Sequence, residues 1–262
     1  MLNHKKYNFY KQYSFDTLTS EQQKFMLDYE IQVSNEQADR KRILEEQQKN
    51  QQILAEPKEK IIINKEKVKE WFEFYYKKTF SKSFEYNEEN TEIMDLIFMY
   101  FARDKAFELQ HESYSLDKGL ALIGGCGSGK TTIMQTFSLL GQDFFKKHQS
   151  LLFFFKMSSC NKLSIEYQSD EQKRDLTNYI YGIRCFDDLG SEKNVFGDKN
   201  LMEQIMEQRY YEQFTQRKLN SKTHFTTNLS IKELKERYGD RVQDRLKEQC
   251  NFIIFKGKSF RK

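Results

Sequence analysis

A single glycine-rich motif constrains this chain more than any other feature of its sequence. Residues 124–131 read GGCGSGKT and match the pattern GxxxxGK[ST], which occurs once in the chain. The motif directly follows an apolar run at residues 120–123 and directly precedes a helical stretch that begins at Thr131. Glycines let the backbone curl, so that successive amide groups and the helix N-terminus point at one anion. The pattern therefore predicts a strand, a phosphate-binding loop and a helix in succession.

This loop is expected to bind ATP together with Mg²⁺. Lys130 would supply a cation to the β- and γ-phosphates, and Thr131 would place its hydroxyl on the metal ion. The residues expected to contact the nucleotide are Gly124, Gly125, Cys126, Gly127, Ser128, Gly129, Lys130, Thr131 and Thr132. The alternative is a glycine-rich turn that binds no nucleotide, and the strand, loop and helix context argues against it.

A pair of carboxylates is predicted to form the second half of the site. Residues 183–188 read IRCFDD, an apolar run that ends in Asp187 and Asp188. Asp187 is placed to hold Mg²⁺ through its water shell, whereas Asp188, on the opposite side of the strand end, is placed to polarise an attacking water. Paired aspartates followed by Leu189 and Gly190 are also common in turns and helix caps, which is the alternative interpretation.

Short apolar runs alternate with longer amphipathic stretches from Gly119 onward. This alternation predicts an α/β fold with a parallel sheet flanked by helices. The predicted strands are residues 120–123, 151–155, 183–186, 224–226 and 252–255.

The sequence before these strands is predicted to be helical. A long polar helix is expected from Ser20, where a capping-box pattern begins, to about residue 52, and its apolar positions keep no heptad. Two further helical blocks follow at residues 68–75 and 92–103. We expect the domain boundary near residue 85, between a helical N-terminal extension at 1–85 and an ATPase domain at 86–262.

The charge of the chain is concentrated at its C-terminal end. The net charge is only +4, but residues 216–262 hold 13 Lys and Arg against 5 Asp and Glu. Such asymmetry favours contact with phosphates, as in a nucleic acid. A solvated basic surface on ordinary helices is the alternative.

Other features of the sequence exclude several classes of protein. The N-terminus lacks the apolar core of a signal peptide, and no apolar run approaches the ~20 residues that span a bilayer. We therefore expect a cytoplasmic protein with no membrane partner. The four cysteines lie far apart without a CxxC pair, and the four histidines form no HxH or HExxH pattern. Neither a zinc site nor a disulfide framework is indicated.

Four motifs, taken in order, resemble the DnaC/IstB branch of the AAA+ ATPases. They are residues 124–131, 186–192, 226–230 and 241–246, and the resemblance covers roughly residues 85–262. That branch contains bacterial and phage replicative-helicase loaders and transposition helper ATPases. The resemblance implies a P-loop NTPase fold with a five-stranded parallel sheet of the additional-strand type and no separate lid domain.

The resemblance also assigns roles to residues beside the phosphate loop. Asp188 stands at the catalytic carboxylate position, where most AAA+ proteins have Glu, and the shorter side chain is expected to slow hydrolysis or to pass part of the role to Glu192. Asn228 resembles the sensor 1 residue, which helps to orient the attacking water. The alternative for Asn228 is an ordinary asparagine that ends a strand in a turn.

Three arginines are candidates for contact with the γ-phosphate by the same resemblance. Arg245 matches the arginine finger, which reaches the ATP of an adjacent subunit, and Arg241, one helical turn earlier, is the alternative finger. Arg261 resembles the C-terminal arginine that stands in for sensor 2. The alternative interpretation of Arg245 and Arg261 is that they are ordinary basic residues on the protein surface.

The function implied by this resemblance is that of an ATP-dependent accessory ATPase in DNA replication, a helicase loader. Its partners would be a replicative helicase, single-stranded DNA and further copies of itself in a ring or helical oligomer. DNA contacts are expected from Lys and Arg around residues 217–247, with Lys156 and Lys162. The helicase would bind apolar faces of the N-terminal helices, unless these pack on the ATPase domain instead: Phe25, Tyr29, Trp71, Phe72 and Tyr75.

Three other functions are compatible with the same residues. One is a transposition helper ATPase that polymerises on double-stranded DNA. Another is a small-molecule kinase, since a phosphate loop also serves phosphoryl transfer to metabolites. The third is a nucleotide-regulated scaffold with negligible turnover, which the Asp at position 188 leaves open.

Overall fold

The computed structural model describes residues 2–34, 38, 41, 62–169, 175–195, 200–215 and 221–255. The chain divides into two compact units, Met1–Lys60 and Ile61–Lys262. None of the described helices is long and apolar enough to cross a membrane.

The N-terminal unit is a pair of helices joined by a short turn. Helix α1 spans Leu2–Tyr10 and is followed by a 3-10 turn at Phe15–Thr17 and by helix α2, whose described residues are 20–34. The two helices meet through aromatic rings, with the Tyr7 and Tyr29 centroids 4.7 Å apart. The predicted start of α2 at Ser20 is confirmed, although Gln22 caps the amide of Thr19 at 2.9 Å, one residue before the predicted capping box. The predicted continuation to residue 52 lies largely outside the described residues.

The second unit is built on a five-stranded sheet. Its strands are β1 (Gly119–Gly124), β2 (Lys156–Ser159), β3 (Arg184–Asp187), β4 (Thr223–Thr227) and β5 (Cys250–Phe255). They pair in the order β2-β3-β4-β1-β5, and every pair is parallel. The predicted fold, a five-stranded parallel sheet flanked by helices, is confirmed, and the described residues contain no separate lid domain.

Helices cover both faces of this sheet. They are α3 (Lys65–Phe80), α4 (Thr91–Phe101), α5 (Lys130–His148), α6 (Cys160–Ser169), α7 (Thr177–Ile180), α8 (Leu201–Tyr210) and α9 (Ile231–Gln249). Side chains alternate along a strand, and in β1 Leu120 and Leu122 join the core beneath α3, α4 and α5. Ala121 and Ile123 join the second core, beneath α6, α8 and α9. The interior strand β1 is therefore buried on both sides, as parallel sheets require.

The division between the units differs from the boundary expected near residue 85, because α3 is part of the ATPase core. Phe72 is fully buried, with its ring centroid 5.2 Å from that of Phe137 on α5. Tyr75 is also buried and donates a hydrogen bond to Asp143 at 2.9 Å. Trp71 packs against the same cluster. Packing on the ATPase domain is thus the interpretation that holds for these three aromatic residues.

The predicted strand at residues 151–155 is wrong, and β2 lies directly after it at Lys156–Ser159. The apolar run is a loop whose rings fill the core, with the Phe153 centroid 5.0 Å from that of Phe144. β2 is an edge strand, and its own side chains are exposed or half-buried. The apolar run therefore correctly predicted that side chains of residues 151–155 are buried. It did not predict their backbone conformation, which is a loop and not a strand.

Candidate nucleotide site

The carboxyl ends of three adjacent strands bring the predicted site residues together. The phosphate loop follows β1, Asp187 is the last residue of β3, and Asn228 directly follows β4, which lies between the other two. Parallel strands present their carboxyl ends at one edge of the sheet, where the ligands of open α/β folds bind. The topology thus assembles one polar site from segments about 100 residues apart along the chain.

The loop has the backbone conformation that a phosphate cradle requires. Gly127 and Gly129 have φ angles of 85° and 81°, in the region that favours glycine. Gly129 ends the loop as the N-cap of α5, so the first helical residue is Lys130. A side chain at Gly125 would meet nothing within 4 Å, which leaves open space above the loop. Amides and the positive end of the α5 dipole therefore face one region, which suits a polyphosphate.

Lys130 lies buried beneath the loop. Its ammonium donates to the carbonyls of Gly124 at 2.7 Å and Gly125 at 2.9 Å, and to Ser128 Oγ and Asn228 Oδ1, both at 3.0 Å. Burial lowers the pKa of Lys130, and the nearby Asp188 carboxylate opposes this shift. All four acceptors are neutral, so no direct ion pair with a described residue cancels the ammonium charge. An anionic phosphate would supply the missing counter-charge.

Thr131 and Asp187 form the part of the site that fits a divalent cation. The Thr131 hydroxyl donates to Asp187 Oδ1 at 2.9 Å, and the Thr226 hydroxyl donates to the same oxygen at 2.7 Å. Burial raises the pKa of Asp187, while the two hydroxyl bonds act in the opposite direction. A bound cation would favour the ionised carboxylate.

The protein alone offers few ligands to such a cation. Among the described residues, no group of three or more His, Cys, Asp or Glu side chains could hold a metal ion. Mg²⁺ is commonly held by one or two protein oxygens, with water and substrate phosphates completing its octahedron. The hydroxyl of Thr131 and the carboxylate of Asp187 fit that arrangement, with the nucleotide as the further ligand.

Asp188 and Asn228 extend this network beyond the pair of Thr131 and Asp187. Asn228 Nδ2 donates to Asp188 Oδ1 at 2.6 Å, while Asn228 Oδ1 accepts from Lys130. Asp188 has a φ of 59°, unusual for a residue other than glycine, and its amide donates to Thr226 Oγ1 at 2.8 Å. The Asn228 amide thus links the cation of the loop to the second carboxylate, as expected of a residue between the two strands.

Thr226 is a site residue that the sequence motifs did not predict, although it lies in the motif at residues 226–230. Its hydroxyl donates to Asp187 and accepts from the amide of Asp188, so it fixes both carboxylate residues. The alternation of side chains along a strand could have identified this residue. Thr226 and Asn228 are two residues apart, so the pattern of an extended strand places them on the same side.

Glu192 is engaged in structural contacts. Its side chain has no exposed surface, and its Oε2 accepts from the amide of Gly190 at 2.8 Å. Its other oxygen accepts from Tyr238 and forms an ion pair with Arg237 at 3.3 Å, both on α9. Glu192 therefore forms a clamp, a side chain that joins the loop after Asp188 to α9. Both of its oxygens are engaged in these contacts, which argues against a share for Glu192 in catalysis.

The candidate finger arginines lie on α9 and share one carboxylate on α8. Arg245 Nη1 donates to Glu207 Oε1 at 2.8 Å, and Arg241 Nε lies 3.5 Å from the same oxygen. The Arg245 guanidinium also lies over the Tyr210 ring, 4.8 Å from its centroid. Arg245 is 21% exposed and Arg241 is 74% exposed, so Arg241 is the more accessible. Arg261 lies outside the described residues.

The remaining loop residues take distinct positions. The Thr132 hydroxyl donates to the Gly129 carbonyl at 2.8 Å, within the first turn of α5. Ser128 is buried and its hydroxyl donates to the Gly125 carbonyl at 2.9 Å. Cys126 is exposed. The loop therefore presents a thiol at its surface, whereas its hydroxyls at positions 128 and 132 fix its shape.

Solved structures provide the first comparison with known proteins. The DnaC helicase loader matches with a TM-score of 0.48 and 19% identity, over 66% of this chain and 93% of that chain. The AMPPCP-bound DnaA from Aquifex aeolicus matches with a TM-score of 0.43 and 15% identity, over 66% of this chain and 48% of that chain. Among curated proteins, no sequence matches this chain.

A comparison with protein families identifies the chain more directly. The family described as IstB-like ATP binding protein matches residues 105–262, more than half of the chain. The match contains all four motifs, and with them the phosphate loop, Asp187, Asp188 and Asn228. It agrees with the resemblance inferred from the four sequence motifs. The chain belongs to the IstB-like ATP-binding family, within the DnaC/IstB-like AAA+ ATPases.

Proposed function

We propose that this chain is a Mg²⁺-dependent accessory ATPase of DNA replication, a helicase loader that binds single-stranded DNA. The observation that carries the ATPase proposal is the convergence of Lys130, Thr131, Asp187, Asp188 and Asn228 at one edge of the sheet. These residues provide a cation, a hydroxyl, two carboxylates and an orienting amide. Phosphoryl transfer to water needs those groups, because its catalysis is mostly positioning and charge stabilisation.

Each residue has a distinct part in this proposal. Lys130 and the loop amides hold the β- and γ-phosphates, and Thr131 with Asp187 would hold Mg²⁺, which neutralises charge on the phosphates when bound. Asp188 accepts a hydrogen bond from the attacking water. Asn228 fixes the orientation of Asp188, because its amide donates to that carboxylate at 2.6 Å.

The DNA-binding proposal rests on exposed basic residues outside the pairs on α9. Within α9 the basic side chains face carboxylates, for example Lys235 with Asp240 at 2.8 Å and Lys247 with Asp244 at 3.4 Å. Lys156 is exposed on the edge strand, and Lys162 on α6 is 76% exposed and pairs with Glu166 at 3.8 Å. Six of the 13 basic residues in 216–262 lie outside the described ranges. Phosphate contacts are therefore expected first from those residues and from Lys156 on β2, rather than from the paired side chains of α6 and α9.

The N-terminal unit supports the partner-binding part of the proposal. Phe25 and Tyr29 pack against α1, with the Phe25 centroid 6.0 Å from that of Tyr10 and the Tyr29 centroid 4.7 Å from that of Tyr7. The apolar side chains that remain exposed are Phe9, Tyr13, Phe15, Leu27 and Ile31. Exposed aromatic and aliphatic groups on a helix pair suit an apolar groove on a protein partner. We infer that the replicative helicase binds this unit.

The decisive experiment measures ATP hydrolysis by the full chain with Mg²⁺, alone, with single-stranded DNA and with duplex DNA. We expect turnover that single-stranded DNA stimulates, and stimulation that falls steeply as salt rises. Lys130→Ala should weaken ATP binding about tenfold to a hundredfold, because a charge-assisted contact worth about 1.5–3 kcal/mol is lost. Lys105→Ala, at an exposed lysine far from the loop in sequence, is the control.

The outcomes separate the proposed function from its alternatives. Stimulation by duplex DNA alone would indicate a transposition helper, and ATP binding without turnover would indicate a scaffold. Transfer of phosphate to a metabolite rather than to water would indicate a kinase. Unchanged nucleotide affinity in a folded Lys130→Ala protein would overturn the nucleotide site itself.

A further inference from the structure

A cavity lies at the end of the sheet opposite the phosphate loop. Its wall includes Ile183 and Lys222, which directly precede β3 and β4, and Asp117, which lies two residues before β1. The loop at residues 151–155, before β2, closes another side. These are amino ends of strands, whereas the nucleotide site lies at the carboxyl ends. The cavity has a volume of about 290 Å³.

Two cations converge in this cavity on a single backbone oxygen. Lys222 Nζ donates to the carbonyl of Leu116 at 2.6 Å, and Arg103 Nη1 donates to the same oxygen, also at 2.6 Å. The two nitrogens are thus at most twice that distance apart, about 5 Å. A carbonyl satisfies hydrogen bonds but carries no net charge, so the pair is not neutralised by it.

The two cations that line the cavity, Lys222 and Arg103, face a single carboxylate among its described lining residues. Asp117 is the carboxylate among the described residues that line it, and its side chain is 88% exposed, 3.3 Å from Arg103. An ion pair so exposed contributes little. Burial, with Arg103 as the next cause, lowers the pKa of Lys222 to about 8. Burial also lowers the pKa of His224 to about 3, so that this ring is neutral at pH 7.

The other walls are apolar. Phe153 and Phe155 are buried, and Leu151 is 42% exposed at the cavity wall. The Phe101 and Phe155 rings stack with centroids 6.3 Å apart. A volume near 300 Å³ is at the lower end for ligand pockets, which suits one small molecule.

We propose that this cavity binds a small organic anion with one carboxylate or phosphate group and an apolar or aromatic body. The anionic group bridges Lys222 and Arg103, which together with Asp117 leave one net positive charge at short range. The body lies against the aromatic wall. The inference does not depend on the ATPase proposal, because no residue of the cavity belongs to the nucleotide site.

The test is a titration of the full chain with four probes, followed by ligand-observed NMR: benzoate, phenyl phosphate, benzyl alcohol and inorganic phosphate. We expect benzoate or phenyl phosphate to bind about tenfold or more tightly than either benzyl alcohol or inorganic phosphate, since only they offer both charge and body. The better of the two identifies the anionic group. Equal affinity for benzyl alcohol would overturn the role of charge, and equal affinity for inorganic phosphate would overturn the role of the apolar wall.

Two variants locate the binding. Lys222→Gln should weaken the better probe about tenfold or more. Lys118→Gln is its matched control, because Lys118 also donates to backbone carbonyls, at 3.0 and 3.1 Å, but does not line the cavity. Leu151→Glu places a like charge at the half-exposed wall and should weaken the probe by a similar factor, whereas Leu151→Gln should not.

The Leu151 pair keeps the test decisive if Lys222→Gln fails to fold, since an exposed position tolerates both side chains. ATP affinity should be unchanged in every folded variant. Probe affinity that is unchanged in Leu151→Glu, or reduced equally in Leu151→Gln, would overturn the proposal.

Discussion

Among the described residues, Asn228 is the side chain that hydrogen-bonds to both Lys130 and Asp188, the cationic and anionic halves of the nucleotide site. Its amide oxygen accepts from Lys130 and its amide nitrogen donates to Asp188. The two ends of an amide are not interchangeable, so these contacts fix its orientation. Aspartate in its place would lose the donor to Asp188 and would set two carboxylates against each other. The position therefore requires an amide rather than polarity alone.

Cys126 allows a direct test of nucleotide binding at the residue scale. It is exposed, whereas Cys160, Cys185 and Cys250 are buried, and burial raises the pKa of each of these three thiols. N-ethylmaleimide should therefore modify the native chain at Cys126 alone, because the thiolate is the nucleophile. With Mg·ATP at about 100 times its Kd, labelling should slow roughly a hundredfold, since only the free fraction reacts. Mass spectrometry of the labelled chain measures both.

Two controls accompany the labelling. Cys126→Ser should remove the reaction. At the same Mg·ATP concentration, Lys130→Ala should reduce the protection to roughly two- to elevenfold, because its affinity is expected to be tenfold to a hundredfold weaker. A rate that saturating Mg·ATP leaves unchanged would contradict nucleotide binding at this loop.

Single residues were predictable where a motif fixes their chemistry. Lys130, Thr131 and Asp187 take the positions expected from GxxxxGK[ST] and from the end of an apolar run. Thr226 was not predictable in the same way, because its role depends on the register of β4 beside β3. Glu207 is on α8, and its contact with α9 depends on helix packing that no local pattern encodes.

Helix α9 contains a break that divides its charged surface. Gly239 has φ 80° and ψ 166°, a conformation essentially restricted to glycine, between two helical segments. Ser230 and Glu233 cap the first segment with a reciprocal capping box. The second segment carries Arg241 and Arg245. The direction of that arginine surface therefore depends on the backbone at one residue.

Gly239→Ala should lower the free energy of unfolding by about 1–3 kcal/mol, because alanine in this backbone region is strained. No atom lies within 4 Å of the added carbon, so a clash would not contribute. Urea denaturation followed by circular dichroism measures the change. Lys232→Ala, on the same helix in an exposed ion pair at 3.6 Å, is the control and should change stability by less than about 0.5 kcal/mol. Equal stability of Gly239→Ala and the parent chain would show that the break is not required.

Elements were predictable from hydrophobic pattern to different degrees. Four of the five strands lie within about two residues of their predicted positions, because each contains buried apolar side chains in the parallel sheet. β2 was missed, since an edge strand needs no apolar run and the adjacent aromatic run serves the core as a loop. The helix at 65–80 was expected, but its packing on α5 depends on contacts between residues about 65 apart.

At the scale of the whole molecule, the candidate finger arginines predict an active site completed by a second subunit. Arg245→Ala should bind ATP nearly normally and hydrolyse it roughly a thousandfold more slowly, as for arginine fingers generally. Mixing it with Lys130→Ala should restore activity, because an intact loop from one subunit then meets an intact arginine from the other. Steady-state ATPase assays of the two variants and of their mixture measure this.

Arg241→Ala should be tested in the same mixture, since Arg241 is the more exposed of the two. Complementation by Arg241→Ala but not by Arg245→Ala would assign the finger to position 241. If mixed assemblies form and every mixture stays inactive, the assignment of a finger between subunits fails, and Arg245 is a DNA-facing or structural arginine.

The clamp formed by Glu192 gives the nucleotide site a physical connection to the surface that carries these arginines. Glu192 joins the Asp188 loop to Arg237 and Tyr238, which directly precede the break at Gly239. A loop movement that accompanies nucleotide binding would therefore act on α9. Thermodynamic linkage makes such an effect reciprocal: the factor by which nucleotide changes the affinity of α9 for a neighbour equals the factor by which that neighbour changes nucleotide affinity. In an open helical assembly, the subunit at the end lacks that neighbour, and its affinity for ATP would differ from that of the subunits behind it.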